Sequence, residues 1–148
     1  MDGFLSFRHK TAKEIAKVGL AAYNKGIDEK EESRMLRMGH GKEVVYLYYF
    51  KRDRRDYEAD GFETWPCKVG FSHHLATSRV ANQVKTASPE WPTMGLEVYT
   101  DDGFLLEQAL HAILRLYHRE ITNATGTEWF LTSPEEVAGI CKLLRREV

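Results

Sequence analysis

The chain has 148 residues, of which 43% are hydrophobic and 29% charged, and its formal net charge is −1. This length can bury one sizeable core but not two full domains, and the near-neutral charge argues against non-specific coating of nucleic acid while allowing a small basic cleft. The first residues lack the layout of a secretory signal, and no apolar run approaches the ~20 residues that span a bilayer. We therefore expect a soluble, intracellular (cytoplasmic) protein. Cys67 and Cys141 lack metal-type spacing and are expected to be buried free thiols.

Residues 1–42 are predicted to form a helical arm that precedes a core domain over 43–148. An amphipathic helix is expected over 11–23, and a short helix over 28–38. The arm holds nine Lys or Arg against six acids. This excess is compatible with guiding DNA, with a solvated extension, or with a homodimer formed through the arm.

The core is predicted to begin with a strand over 44–50, which is a β-branched and aromatic run. A charged, solvated loop over 51–60 should follow, and then a second strand over 66–71. These two strands should pair as a hairpin with an unusually long loop. A helix over 75–85 comes next.

The second half of the core is predicted to contain one more strand, over 94–99, and a strongly apolar helix over 103–118 that Asp101 caps. A turn and a short extended piece over 126–131 lead to a final helix, which starts at 133–136 with a proline at its first position. The order after the arm is β-β-α-β-α-α.

Tyr46 is the first candidate for chemistry. Strand side chains alternate between faces, so Tyr46 and Tyr48 should share one side of the sheet, and the hairpin should bring Lys68 or Val69 near Tyr46. A cation beside a phenol favours the phenolate, which can take a proton from water. A tyrosine considered alone is more often a core aromatic with a hydrogen-bonded hydroxyl.

Arg79 and Gln83 are expected on one face of the 75–85 helix, away from its apolar stripe. A guanidinium matches the bidentate geometry of a phosphate, so Arg79 is the candidate phosphate ligand. A solitary helix arginine is otherwise usually solvated.

Glu107 interrupts a helix that is otherwise nearly all core, where a carboxylate must be paired or must bind a cation. His111 and His118 are expected on the same face, which leaves a zinc site as one alternative. A hard cation such as Mg²⁺, held by one carboxylate, waters and phosphate oxygens, needs fewer ligands. His111 would either hydrogen-bond the carboxylate or approach the substrate.

In this order, the residues resemble the GIY-YIG nuclease superfamily, and within it the branch with a T5orf172 or Mug113-type domain, over about Glu43 to Glu136. The motifs that carry the resemblance are Val44-Val45-Tyr46, Lys68-Val69-Gly70-Phe71-Ser72, Ser78-Arg79, Leu106-Glu107-Gln108-Ala109-Leu110-His111 and Gly126-Thr127-Glu128-Trp129-Phe130.

The resemblance implies an α/β fold of the α+β kind, with a small three-stranded, mostly antiparallel sheet flanked by helices, and metal-dependent cleavage of DNA. Tyr46 would be the general base or position the water, Arg79 would stabilise the phosphate and leaving group, and Glu107 would bind one Mg²⁺ or Mn²⁺ ion. Lys68 replaces the second tyrosine of the family. In some restriction-enzyme relatives a lysine at that place assists in activating the water.

Substrate contacts are expected from Tyr48, Gln83 and His111, and Glu128 either borders the metal cleft or holds a turn. Two alternatives to an endonuclease stay open. One is a catalytically inactive module of the same fold that binds nucleic acid or protein. The other is a small metal hydrolase that uses Glu107, His111 and His118.

Overall fold

A computed structural model describes residues 35–73, 90–122 and 128–145. The described elements, in chain order, are β1 (Leu36–Gly39), β2 (Glu43–Tyr49), α1 (Lys51–Ala59), β3 (Trp65–Ser72), β4 (Thr93–Thr100), α2 (Gly103–Leu116), β5 (Trp129–Thr132) and α3 (Pro134–Arg145). The predicted helices over 11–23 and 75–85 lie outside the described residues.

The five strands form one sheet in the order β1-β4-β2-β3-β5. The β1–β4 pair is parallel and the other pairs are antiparallel. The mixed α/β class is confirmed, but the prediction of three strands is wrong because β1 and β5 extend both edges. Strand β1 comes from the segment assigned to the arm, so the sheet reaches into that segment and the helix predicted over 28–38 is wrong at 36–38. A four-residue strand is too short to show a clear period in sequence.

The strands predicted over 44–50, 66–71 and 94–99 and the last two helices are confirmed with small shifts of their ends. The final helix begins as expected, because Pro134 occupies its first position and the Ser133 hydroxyl accepts a hydrogen bond from the Glu136 amide at 3.1 Å.

The charged loop predicted over 51–60 is wrong, since this segment forms the helix α1. None of its residues is fully buried, so the sequence of this segment lacks the apolar stripe from which a helix is normally predicted. An ion pair from Arg54 to Glu58 at 2.8 Å supports the helix along its axis. The Arg54 guanidinium also lies 4.4 Å from the Trp65 ring and donates to the Tyr49 hydroxyl at 2.7 Å, which fastens α1 to the sheet.

The cap predicted for α2 is also wrong. Asp102, not Asp101, precedes the helix, and its side chain makes no capping hydrogen bond. The carboxylate of Glu43 on β2 accepts from the Gly103 amide at 2.8 Å instead, while Asp101 accepts from the Lys42 amide. The first turn of α2 is therefore stabilised from the neighbouring strand rather than from within its own sequence.

The sheet has two differently covered faces. Val45, Leu47 and Val69 face the main core together with Leu110 of α2 and Val137 of α3. Cys67 and Cys141 are buried free thiols in this core, as predicted. The opposite face carries a smaller cluster of buried side chains, namely Met35, Val44, Tyr46, Tyr48 and Met94. None of the helices within the described ranges is long and apolar enough to cross a bilayer.

Candidate active site

The site forms around Gly70 at the centre of β3. Tyr46 on β2 is the cross-strand partner of Gly70. A Cβ placed on Gly70 would lie only 2.7 Å from the Tyr46 hydroxyl oxygen and 2.9 Å from its Cζ. The phenol therefore occupies the space that a side chain at position 70 would need, and a larger residue there would displace it. Tyr46 and Tyr48 share this face as predicted, with rings stacked at 6.1 Å.

At this point the outer edge of β3 stops pairing with β5, and side chains of α2 contact its backbone instead. The β3–β5 pairing ends at Lys68 and Trp129, and the Val69 amide then donates to the Glu128 carbonyl. His111 Nε2 lies 2.8 Å from the Val69 carbonyl oxygen. One turn earlier on α2, the Glu107 carboxylate accepts a hydrogen bond from the Phe71 backbone.

Three candidate residues thus meet three consecutive residues of one strand. Tyr46 lies over Gly70, while His111 and Glu107 bind the backbone of the residues on either side of it. The Tyr46 side chain lies on the sheet face opposite the main core, whereas α2 packs on the core face. The side chains of α2 reach the β3 backbone just beyond the point where the β3–β5 pairing ends. Sequence spacing alone does not reveal this edge.

Lys68 faces Tyr48 rather than Tyr46, because Tyr48 is its cross-strand partner. Its Nζ lies 3.8 Å from the Glu128 carboxylate. Burial, together with the neighbouring Tyr46 and Glu128, raises the pKa of Tyr48 well above its usual range. The phenol of Tyr48 is therefore neutral at physiological pH, and Lys68 does not act by ionising it.

Glu107 is only 5% exposed, and this burial raises the pKa of its carboxyl. The nearby Glu128 carboxylate raises the pKa further, whereas His111, the Gln108 amide and the Phe71 backbone oppose the rise. A cation bound at Glu107 would offset the repulsion that the Glu128 carboxylate exerts on it.

The oxygen donors at this edge are the carboxylates of Glu107 and Glu128. Mg²⁺ is usually bound in proteins by one or two carboxylates and retains several waters. The zinc triad considered from sequence is wrong: α2 ends at Leu116, and His118 is exposed beyond it with a φ of 57°. In the described ranges no group of three or more His, Cys, Asp or Glu side chains is placed to hold a metal.

The expected substrate contacts have different positions. Tyr48 and His111 are 2% and 3% exposed, which favours a supporting role for both over direct contact with a bound nucleotide. Tyr48 packs edge-on against Phe50 and Trp129. Arg79 and Gln83 lie outside the described residues.

One buried carboxylate near the site was not singled out from the sequence. Glu97 on β4 is the other cross-strand partner of Tyr46 and is 4% exposed. It forms an ion pair with Arg37 on β1 at 3.2 Å and accepts from the Tyr99 hydroxyl at 3.3 Å. The sequence signal for its burial is its position between the apolar residues Leu96 and Val98. An acidic residue in a strand, however, normally indicates the solvent-exposed face.

Comparison with known proteins identifies one family. A sequence model described as the T5orf172 domain matches residues 43–145, which is well over half of the chain. No curated protein and no solved structure gives a significant match. The match starts at β2 and ends at the last residue of α3, so it includes every residue of the site described above.

Proposed function

The chain belongs to the T5orf172 domain family, whose domains are nuclease-like and DNA-binding, and we propose that it is a divalent-metal-dependent DNA endonuclease. The observation that carries the proposal is the convergence of Tyr46, Glu107 and His111 on residues 69–71 of β3. A phenol, a buried carboxylate and a second carboxylate nearby are the groups that metal-assisted attack of water on a phosphodiester uses.

Each residue has a role in this proposal. Tyr46 would hold the attacking water through its hydroxyl, and Lys68 would add positive charge near the phosphate. Glu107 would bind Mg²⁺ or Mn²⁺, with Glu128 as a neighbouring oxygen donor. When bound, such an ion polarises the phosphate and stabilises the leaving oxygen. His111 would hold the β3 edge in place, and Arg79 would neutralise charge on the phosphate.

A catalytically inactive module that binds nucleic acid or protein is the second candidate, and one observation favours it. Tyr46 is 1% exposed and Glu107 is 5% exposed, so a phosphodiester reaches them only if the covering residues move. A binding module needs no such movement, because its contacts lie on the surface.

A nicking assay on supercoiled plasmid tests the proposal. We expect nicking with Mg²⁺ or Mn²⁺, none with chelator, and a loss of about 100-fold or more in Glu107→Gln. The matched control is Glu136→Gln on α3, a hydrogen-bonded carboxylate outside the site, which should still nick. Binding of a labelled oligonucleotide without nicking by the wild-type protein would contradict the endonuclease and support the binding module.

A further inference from the structure

A cleft of about 440 Å³ lies between α1, the start of β4 and the start of α3. Its lining includes Lys51 and Arg55 of α1, Gly95 of β4 and Glu135 of α3, and we call it the α1 cleft. Every residue that lines it belongs to the described ranges. Pockets that bind small molecules have volumes of about 300–1,000 Å³, so the α1 cleft suits a ligand of nucleotide size.

The α1 cleft is separate from the candidate active site. Tyr49, which lines the cleft, comes three residues after Tyr46 on β2 and therefore lies about 10 Å farther along the strand. The side chains of Tyr49 and Tyr46 belong to the clusters on opposite faces of the sheet. Glu107 and His111 are not among the lining residues of the cleft. A ligand bound there would thus leave the active site open.

One face of α1 forms the cationic wall of the cleft. The residues of this face that line the cleft are Lys51, Arg54, Arg55 and Glu58. Their spacing of three, one and three places all four on the same side of the helix. Glu58 is ion-paired with Arg54 at 2.8 Å. Asp53 and Asp56, the other acids of α1 before its last turn, do not line the cleft.

The guanidinium of Arg54 is held in place before any ligand arrives. It donates to the Tyr49 hydroxyl at 2.7 Å and to Glu58 at 2.8 Å, and it lies 4.4 Å from the centre of the Trp65 ring. A side chain that is already fixed loses little conformational entropy when a ligand binds. The wall is therefore ordered around Arg54.

A β-bulge forms the floor of the cleft. Leu47 pairs with Leu96 and Tyr48 pairs with Met94, so Gly95 is an extra residue in β4. A Cβ at this position would lie 2.5 Å from the Pro134 Cγ, and the glycine thus lets α3 begin directly against the sheet. This close approach places the first turn of α3 on the far side of the cleft from α1. Bulges of this kind are frequent beside functional sites.

The charges of the lining favour an anion. The lining holds three cations, all on α1, against two acids, of which Glu58 is already paired. The other acid, Glu135, belongs to the first turn of α3 on the far side. Burial raises the pKa of the Glu90 carboxyl and Arg55 is among the groups that oppose the rise, but Glu90 is not a lining residue. The excess of positive charge therefore lies along the α1 wall.

We propose that the α1 cleft binds a phosphate group, carried by a free nucleotide or by the DNA backbone. Arginine binds phosphate oxygens through parallel hydrogen bonds, and lysine binds them as a point charge. Arg54 and Arg55 contact the phosphate, and Lys51 adds positive charge beside it. This site goes beyond the proposed endonuclease activity and does not depend on it.

Binding titrations with inorganic phosphate, deoxyadenosine monophosphate and a short DNA duplex test the proposal. They are made with chelator present, so that no metal ion links a phosphate to Glu107, and at about 0.15 M ionic strength, where charges more than about 8 Å apart are largely screened. We expect Arg55→Gln to weaken binding about tenfold or more, because it removes a charge-assisted contact. Arg52→Gln is the matched control. It removes the same charge from the same helix, but Arg52 does not line the cleft.

Both arginines are exposed, so neither substitution should unfold the protein, and far-UV circular dichroism checks this. Amide NMR shifts locate the bound phosphate: binding should move the signals of Gly95 and Glu135. A response to the duplex alone identifies the DNA backbone as the source of the phosphate, and a response to the monophosphate identifies a free nucleotide.

Three results would overturn the proposal. In the first, none of the probes binds at concentrations up to about 5 mM. In the second, Arg52→Gln and Arg55→Gln weaken binding equally, which indicates general charge attraction without a defined site. In the third, a probe binds while the Gly95 and Glu135 amides stay unmoved. None of these measurements requires nicking, so a failure of the endonuclease proposal is distinguished from a failure of this one.

Discussion

Tyr46 and Gly70 are in direct contact across the β2–β3 pair, because the phenol occupies the space that a side chain at position 70 would need. His111 and Glu107 bind the backbone of the residues on either side of this glycine. The glycine thus leaves the space that the proposed water-holding group occupies.

The Gly70→Ala variant should be destabilised by about 1–3 kcal/mol, because the new methyl group would overlap the buried Tyr46 ring. Gly139→Ala is the matched control. Nothing lies within 4 Å of the position that its Cβ would take, and alanine stabilises a helix by about 0.5–1 kcal/mol relative to glycine. Urea unfolding of both variants measures the difference. Equal stability of the two would show that Tyr46 moves aside without cost.

The Glu107→Gln variant should be more stable than the wild type at pH 8, by about 1 kcal/mol. Burial raises the pKa of Glu107, so the folded protein holds that proton more tightly than the unfolded chain does. The free energy of unfolding therefore falls as pH rises from the usual carboxyl range through the raised pKa, and the cost persists above it. Glutamine removes this cost and can still accept from the Phe71 amide.

Urea unfolding at pH 4 and at pH 8 checks this prediction for Glu107. The advantage of the variant should grow with pH. Glu136→Gln serves as the comparison, because its carboxylate accepts from Thr132 and from Arg119 and its replacement should cost stability. A Glu107→Gln protein that is less stable than the wild type at pH 8 would mean that the carboxylate is stabilised by a partner.

The Glu128→Gln variant should lower the pKa of Glu107, because the Glu128 carboxylate is one of the groups that raise it. The carboxyl ¹³C shift of Glu107, followed by NMR across a pH titration, reports this directly and does not require activity. Glu120→Gln is the control, since Glu120 is ion-paired with Arg115. An unchanged Glu107 titration would place Glu128 too far away to share a cation.

The Glu43→Ala variant should lose about 1–2 kcal/mol of stability, because it removes the acceptor of the Gly103 amide at the start of α2. Asp102→Ala should cost much less, although Asp102 occupies the position where a capping residue normally acts, since its side chain makes no capping hydrogen bond. Thermal unfolding followed by circular dichroism compares the two. The opposite ranking would show that α2 is capped within its own sequence.

The sequence by itself determined the strands with strong alternation or β-branched runs, the apolar helix α2 and the proline start of α3, because these depend on local periodicity and capping chemistry. It also determined that Tyr46 and Tyr48 share a face, since strand alternation is a local property. The motifs around Tyr46, Lys68 and Glu107 resemble those of the T5orf172 family, and the family comparison confirms that family.

The tertiary structure alone decided what depends on pairing between distant segments. Strand β1 is defined by its parallel partner β4, α1 by the contacts of Arg54 with Trp65, and the start of α2 by Glu43 sixty residues earlier. The same holds for the site: the β3–β5 pairing stops at Lys68 and Trp129, and two side chains of α2 bind the β3 backbone just beyond it. Such non-local contacts leave no period in the sequence, since their energies depend on register and distance between elements.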